Sequence, residues 1–166
     1  MHFNYRPLLK TDVEYINSFH SDMVDKDKNN SITKYITSKG ILLGDVFKEL
    51  CLNEDSCTDA RIVLDDHDFV GAVMYNVDIV GNKKVLNLEA IIVHPQLTGK
   101  GIGRKILHDV ISYSADIFGI EIHTIQAIVE KDNMPSQKIF DINKFSKKDR
   151  NKDNSDKYIS YSLDIE

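Results

Sequence analysis

The chain has 166 residues, with 26 acidic and 21 basic side chains and a formal net charge of −5 at pH 7. One hydrophobic core is feasible at this length, so we expect a single domain over residues 1–166. The negative charge disfavours nucleic acid and anionic membrane surfaces as partners and favours a cationic small molecule. No apolar run approaches the roughly 18 residues of a membrane span, and the first residues lack the pattern of a secretory signal. We therefore expect a cytoplasmic protein.

The cysteines and histidines predict neither a disulfide framework nor a metal site. Cys51 and Cys57 are the two cysteines of the chain, and their spacing matches no zinc pattern. The six histidines are scattered, without the clustering of metal ligands. We expect free thiols and no bound metal.

The first third of the chain is predicted to be helical. Residues 11–24 open with Thr11 and Asp12 and carry apolar residues at helical spacing, which is typical of a capped amphipathic helix. A second patterned stretch follows Ser31, pauses at Gly40 and continues to Leu50, which indicates one helix or two short ones.

The middle of the chain is predicted to be an antiparallel meander. Residues 61–64, 69–80 and 85–93 are short runs rich in β-branched side chains. Gly81 and Asn82 lie between the last two runs and tolerate the positive φ of a tight hairpin turn.

The last third alternates between helices and strands. Apolar residues recur every three or four positions from Ile106 to Phe118 and predict a helix that ends near Gly119. Residues 122–129 then predict a strand, residues 134–145 a short helix, residues 147–157 a solvated charged loop, and residues 158–165 a closing strand.

Three glycines, Gly99, Gly101 and Gly103, separate the strand that ends near Val93 from the long helix. A strand, a glycine turn and a helix in this order favour a phosphate site, because the first amides of a helix have no partners inside it. A P-loop requires Lys-Ser or Lys-Thr after the second glycine, and the chain has neither at that register. The dinucleotide fingerprint requires glycine at Arg104 or at Ile106, so it is excluded as well.

The stretch LEAIIVHPQLTGKGIGRKIL, residues 88–107, resembles the acyl-coenzyme A motif of the GNAT family of N-acetyltransferases. The order of predicted elements also resembles that family. The resemblance implies an α+β fold, classed as α/β by some schemes, with a mixed, mostly antiparallel central sheet flanked by helices. It also implies acetyl-coenzyme A as co-substrate.

The resemblance assigns the coenzyme contacts residue by residue. The pantetheine arm is expected to pair with the backbone of Ile91, Ile92 and Val93. The diphosphate is expected on the main-chain amides of the turn and the helix start, namely Gly99, Lys100, Gly101, Ile102, Gly103 and Arg104. The family consensus Q/R-x-x-G-x-G/A fits from Gln96 or from Thr98. The second register aligns both the proline and the helix start, with Thr98 as a departure.

Residues 129–145 resemble a second block of the family. It assigns Asn133 a contact with the coenzyme arm, although Asn133 or Asp132 is equally suited to cap the next helix. Two residues depart from the family pattern: Phe140 stands where many members have a tyrosine that protonates the leaving thiolate, and Lys144 replaces a glycine. Phenylalanine cannot donate a proton, so solvent or a nearby tyrosine would have to serve.

Glu89 is the candidate general base. The resemblance implies an acidic residue here, since one is frequent at this position of the motif strand among family members. A carboxylate in an apolar run is also costly unless it faces water or substrate. An ordinary solvent-facing strand residue is the competing interpretation. We expect acetyl transfer to a primary amine by direct attack; the alternative is an acyl-coenzyme A sensor or scaffold with weak or no catalysis. We expect the acceptor to be a small-molecule or peptide amine, and we expect the protein to be a monomer or a homodimer.

Overall fold

The computed structural model describes residues 3–18, 37–53, 56–149 and 157–165. Its strands are β1 (Asn4–Pro7), β2 (Asp59–Asp65), β3 (Asp68–Val80), β4 (Lys83–Val93), β5 (Thr124–Glu130), β6 (Ser146–Asp149) and β7 (Tyr158–Asp164). Its helices are α1 (Lys10–Ser18), α2 (Leu43–Cys51), α3 (Ile102–Ser112), α4 (Ser114–Phe118) and α5 (Met134–Ile142), with a 3-10 turn at Pro95–Leu97.

The strands form one seven-stranded sheet in the order β1-β2-β3-β4-β5-β7-β6. Within the described sheet β4 and β5 run parallel, whereas the other neighbouring pairs are antiparallel. This arrangement confirms the predicted α+β fold with a mixed, mostly antiparallel sheet.

Each face of the sheet carries its own hydrophobic core. Helices α3, α4 and α5 cover one face, where Leu86, Ile106 and Phe140 are buried. Helices α1 and α2 cover the other face, where Ile16 and Phe47 pack on residues of β2, β3 and β4. Alternate side chains of a strand point to opposite faces, so the central strands must be apolar on both sides.

The structure confirms most of the predicted elements and corrects others. The meander, the Gly81–Asn82 turn, the strand after Gly119 and the helix from Met134 are present. The expected single helix ending near Gly119 is divided at Tyr113, whose φ of −132° leaves the helical range. The stretch between Ser18 and Thr37, where one helix was expected to end and another to begin, lies outside the described residues.

Two strands were not predicted, and both lie at edges of the sheet. β1 contains Asn4 and Pro7, and β6 begins the stretch that was expected to be a charged loop. Edge strands commonly carry proline and charge, which protect them from pairing with other chains, so their sequences resemble loops. Only the partner strands β2 and β7 supply the hydrogen bonds that make them strands.

A buried carboxylate joins β1 to α3. Asp109 is 3% exposed, and its Oδ2 accepts hydrogen bonds from the Phe3 amide at 3.0 Å and from the Tyr5 hydroxyl at 3.2 Å. Burial and the nearby Asp109 charge raise the pKa of Tyr5, so its hydroxyl remains protonated and continues to donate. The contact fixes the N-terminal strand to the helix that follows the glycine turn.

We expect Asp109→Ala to lower the free energy of unfolding by about 1–3 kcal/mol, because it leaves the buried Phe3 amide without its acceptor. Urea denaturation measures the change. Asp65→Ala removes the same charge from an exposed position, and we expect it to change stability by less than about 0.5 kcal/mol. Equal effects of the two substitutions would show that the Asp109 contacts contribute no net stability.

Candidate active site

A β-bulge at Glu89 interrupts the pairing of β4 with β3. Tyr75 pairs with Leu88 and Met74 pairs with Ala90, so Glu89 is the extra residue between two regular pairs. A bulge of this kind reverses the alternation of side chains beyond it. Leu86 and Leu88 belong to the core under α3, and beyond the bulge Ile91 and Val93 pack on that same core. Ala90 and Ile92 pack on the opposite core, under α1 and α2.

Strands β4 and β5 separate at the same level. Their parallel pairing runs from Val85–Thr124 to Leu88–Ala127 and goes no further. Beyond that point the two strands form the walls of a cavity of about 540 Å³, which we call the main cavity. Its lining comes from the second half of β4, the glycine turn, the start of α3, the end of β5, and α5.

The glycine turn presents main-chain amides to the main cavity. Gly99 and Gly101 have φ values of 81° and 80°, which is the left-handed region where glycine is favoured. Gly101 caps α3 without a side-chain hydrogen bond, and the first amide bonded to its carbonyl is that of Lys105. The amides of Ile102, Gly103 and Arg104 therefore have no partner within the helix.

The conformation of the turn bears on the choice of register. Gly101 lies directly before α3, and Gly103 lies in its first turn. A Cβ at Gly103 would contact Val93 and Ile139 at 3.5 and 3.6 Å, which are ordinary packing distances. The last position of the family consensus accepts alanine, so this geometry favours the register that begins at Thr98.

The basic side chains that line the main cavity are exposed, whereas the acidic Glu130 is buried and paired with a lysine. Arg104 and Lys138 are exposed residues of its lining, and the N-terminal end of the α3 dipole adds partial positive charge. Glu130, at the end of β5, is 5% exposed and also lines the cavity. The Lys157 Nζ lies 3.1 Å from Glu130 Oε1, so this buried carboxylate is paired.

Asn133 occupies the start of α5 and lines the main cavity. Its Oδ1 accepts a hydrogen bond from the Ser136 amide at 3.2 Å, so Asn133 and not Asp132 provides the side-chain cap. The Asn133 side chain is 93% buried in this position. The capping bond uses its oxygen and orients its amide nitrogen, which is the group suited to donate to a ligand carbonyl.

A chain of hydrogen bonds orients the Glu89 carboxylate. Asn76 Nδ2 donates to Glu89 Oε1 at 2.7 Å, and Asn87 Nδ2 donates to Asn76 Oδ1 at 2.7 Å and to Asp78 Oδ2 at 2.8 Å. An ionised Asp78 can only accept, so Asn87 must turn its amino group toward it. The Asn76 oxygen then faces Asn87, and the Asn76 amino group faces Glu89.

Phe140, at the position where the resemblance implies a tyrosine in many members, lines the main cavity from α5. Its ring stacks on Tyr161 at a centroid distance of 4.9 Å and meets Phe145 edge-on at 5.0 Å. Tyr161 is therefore a nearby tyrosine, but it is absent from the lining of the main cavity within the described residues. The hydroxyl groups of that lining belong to Thr98 and Ser136.

Lys144 stands where the resemblance implies a glycine, and its backbone has the left-handed conformation that glycine favours. Lys144 follows α5 with φ of 62°, and it is one of two residues other than glycine with positive φ in the described ranges. Glycine adopts this conformation without steric cost, whereas lysine does not. Lys144 thus adopts a conformation that suits the glycine expected at this position.

The structure brings most of the predicted site residues together. Those that line the main cavity are Glu89, Ile91, Ile92, Val93, Gly99, Gly101, Ile102, Gly103, Arg104 and Asn133. Lys100 is exposed in the same turn and is not part of the lining. Sequence reasoning missed Glu130, Lys138 and Asn76. A glutamate that ends an apolar strand next to Asn133 was a usable signal for Glu130. The position of Asn76 beside Glu89 follows only from the register of β3 and β4.

The two cysteines lie apart from the main cavity. Both cysteines are free thiols, and burial raises the pKa of Cys51 to about 12, which makes it a poor nucleophile at neutral pH. Histidine, cysteine and acidic side chains of the described ranges form no group of three that could hold a metal. None of the helices in the described part of the chain has the length and apolar character that crossing a bilayer requires.

Comparisons with known proteins agree with this geometry. Residues 29–144 match the model of the family described as the acetyltransferase (GNAT) family. Acetyltransferase PseH of Campylobacter jejuni is 26% identical over 140 residues, which cover 83% of this chain and 84% of PseH.

Solved structures share the fold at low sequence identity. An acetyltransferase from Thermus thermophilus superposes with a TM-score of 0.68 and 17% identity, covering 99% of this chain and 98% of the other. The C. jejuni N-acetyltransferase PseH, solved in complex with acetyl coenzyme A, has a TM-score of 0.61 and 19% identity, covering 98% of each chain. With a family model that spans residues 29–144, the chain belongs to the GNAT family of acetyltransferases, enzymes whose acetyl donor is acetyl-coenzyme A.

Proposed function

We propose that the protein transfers the acetyl group of acetyl-coenzyme A to a primary amine by direct attack, within one domain formed by residues 1–166. One observation carries the proposal: the cavity between β4 and β5 has unpartnered helix amides at one end and the Glu89 carboxylate at the other. The first group suits a diphosphate, and the second suits an ammonium ion. The thioester between them would then lie beside the attacking amine.

The coenzyme contacts in this proposal follow the lining of the main cavity. The diphosphate would bind the amides of Gly101, Ile102, Gly103 and Arg104, with Gly99 and Lys100 completing the turn. The guanidinium of Arg104 and the exposed Lys138 add charge of the right sign. Lys100 would act through its main chain, as the resemblance implies.

The arm of the coenzyme would extend along the free side of β4. Ile91, Ile92 and Val93 lie beyond the last pair with β5, so this side of the strand has no strand neighbour there. A pantetheine amide can pair with such a strand as an added strand does. The Asn133 side chain, fixed by its capping bond to Ser136, would donate to a carbonyl of the arm from the opposite wall.

The chemistry requires the amine to lose a proton. In the proposed reaction Glu89 accepts a proton from the ammonium group, and the amine nitrogen attacks the thioester carbonyl carbon. The carbon–oxygen bond is polarised by a backbone amide near Val93, and the carbon–sulfur bond then breaks. The thiolate takes its proton from solvent, because Phe140 has none to give. The products are the N-acetylated amine and coenzyme A.

Phe140 also favours a second candidate function, in which the cavity binds acyl-coenzyme A and the protein acts as a sensor or scaffold. An aromatic residue without a hydroxyl group takes the place of the family's acid. A thiol-release assay with polyamines, amino acids, aminoglycosides and peptide amines separates the two functions when calorimetry is run in parallel. Binding of acetyl-coenzyme A without turnover on any amine would favour the sensor.

The proposal includes a cytoplasmic location and an acceptor that is a small molecule or a peptide amine. Two free cysteines suit a reducing compartment, because oxidising compartments commonly convert such thiols into disulfides. The acidic net charge suits a cationic acceptor and gives no support to nucleic acid as a partner.

Gly101→Ala should weaken binding of acetyl-coenzyme A by about tenfold or more, measured by calorimetry, because alanine resists the left-handed backbone that directs the helix amides toward the cavity. Gly81→Ala is the matched control. Gly81 also has positive φ and open space around it, but it lies in the β3–β4 turn. Both variants should lose about 1–2 kcal/mol of stability. If they weakened binding equally, the turn would have no specific role.

Glu89→Gln should lower kcat/KM by about 100-fold or more while acetyl-coenzyme A binds with unchanged affinity, because glutamine cannot accept the ammonium proton. The remaining rate should increase with pH as the amine loses its proton to solvent. Glu121→Gln, a change at an exposed glutamate before β5, is the control. An unchanged rate in Glu89→Gln would remove Glu89 from the mechanism and leave the coenzyme site intact.

A further inference from the structure

A row of uncharged polar side chains crosses the centre of the sheet. Asn76 of β3 pairs with Asn87 of β4, Asn87 with Gln126 of β5, and Gln126 with Ser162 of β7. We call these four residues the amide row. They are far apart in sequence, and the strand register alone brings them side by side.

The amide row lies on the face of the sheet opposite α3. Immediate neighbours of its members, Leu86, Ile125 and Tyr161, belong to the core beneath α3. Successive side chains of a strand alternate between faces, so the row points to the other side. Helices α1 and α2 cover that side over β2, β3 and β4, and their core takes no described residue from β5 or β7. Gln126 is accordingly exposed.

A second cavity, of about 290 Å³, lies over this uncovered part of the sheet. Asn87, Gln126 and Ser162 of the row contribute to its lining, together with Glu89, Ser160 and Tyr161, whose ring packs in the core under α3. Glu89 lines both cavities, because the bulge places it where β4 and β5 separate. An amine bound in the second cavity could therefore reach, beside Glu89, the thioester of acetyl-coenzyme A bound in the main cavity. We call this cavity the acceptor cavity.

The acceptor cavity carries one charged side chain among the described residues, that of Glu89. In the next register row, Asp78 and Asp164 accept hydrogen bonds from Asn87 and Thr124, each at 2.8 Å, and neither aspartate belongs to the lining of the acceptor cavity. The rest of the polar lining consists of amides and hydroxyls. Such groups satisfy neutral donors and acceptors of a ligand and do not neutralise a second ammonium ion.

We propose that the acceptor is a small primary amine with one ammonium group and a body rich in hydroxyl or carbonyl groups. This inference rests on the proposed function and narrows its acceptor class. The ammonium group binds Glu89, and the polar body lies along the amide row. A polyamine would bring further ammonium groups against neutral side chains. An apolar amine would cover the amides of Gln126 and Asn87 without replacing their hydrogen bonds to water, which is unfavourable.

The test compares three amines in the thiol-release assay. Glucosamine and cyclohexylamine both have one amino group on a six-membered ring, with and without hydroxyl groups, and spermidine is the polyamine. We expect kcat/KM for glucosamine to exceed that for each of the other two by about tenfold or more. A preference for spermidine or for cyclohexylamine would overturn the inference.

Gln126→Leu tests the amide row directly. Because Gln126 is exposed and points away from the main cavity, the variant should fold and bind acetyl-coenzyme A as the wild type does. It should raise KM for glucosamine about tenfold and lower KM for cyclohexylamine, because leucine has no amide group that the apolar ring would have to desolvate. Asn82→Ala, in the β3–β4 turn, is the control and should change neither. An unchanged ratio between the two amines in Gln126→Leu would contradict the role of the row.

A binding measurement separates this inference from the proposed function. If acetyl-coenzyme A binds but none of the amines reacts, the proposed catalysis fails. Calorimetric titration of glucosamine into the protein saturated with coenzyme A then decides the inference. Binding that weakens in Gln126→Leu supports the acceptor class, and no detectable binding overturns it.

Discussion

The separation of β4 from β5 is the constraint on which the rest of the site depends. Two parallel strands that share hydrogen bonds at Val85–Leu88 cease to pair at the next residue, and the backbone of β4 beyond Leu88 has no strand on that side. Unpaired strand edges are costly when buried and usually attract another chain or a ligand. Here the edge lies inside the molecule and lines a cavity, which leaves it available to an extended ligand. The glycine turn follows directly at the end of the same strand.

The bulge at Glu89 makes this separation compatible with two cores. Without the extra residue, the apolar side chains of β4 would keep one alternation, and Ile91 and Val93 would face α1 and α2. The bulge reverses the alternation, so both halves of the strand bury apolar side chains on the face under α3. The same residue is left with its carboxylate at the junction of the two cavities. The bulge therefore determines both the packing of β4 and the position of Glu89, the proposed base.

Electrostatics explain how an acidic protein can hold an anionic coenzyme. The net charge of −5 is spread over the whole molecule, whereas the diphosphate would contact a few local groups. Solvent and salt screen charges beyond roughly 10 Å, so the helix amides and Arg104 dominate at contact distance. Glu130 would oppose them from within the lining, but Lys157 pairs with it. On the face of the sheet opposite α3, the negative net charge of the protein suits a cationic amine.

Local sequence determined the elements and the coenzyme end of the site. Glycine at positions 99 and 101 suits the positive φ of the turn, and Pro135 suits the first turn of α5. The apolar spacing of Ile106, Leu107 and Val110 indicates a helix. Each of these signals acts between close neighbours in the chain. Glu89 and Asn133 were singled out in the same way, from their places in local motifs.

Tertiary structure alone decided the end of the site that we propose for the acceptor. The edge strands β1 and β6, the bulge and the amide row depend on which strands lie side by side. Nothing near Asn76 in sequence indicates that it orients Glu89, 13 residues away. Gln126 and Ser162 meet because hydrogen-bond register, set by the packing of both cores, aligns distant segments. A sequence pattern indicates the structure of one segment, whereas a hydrogen-bond register depends on two paired strands.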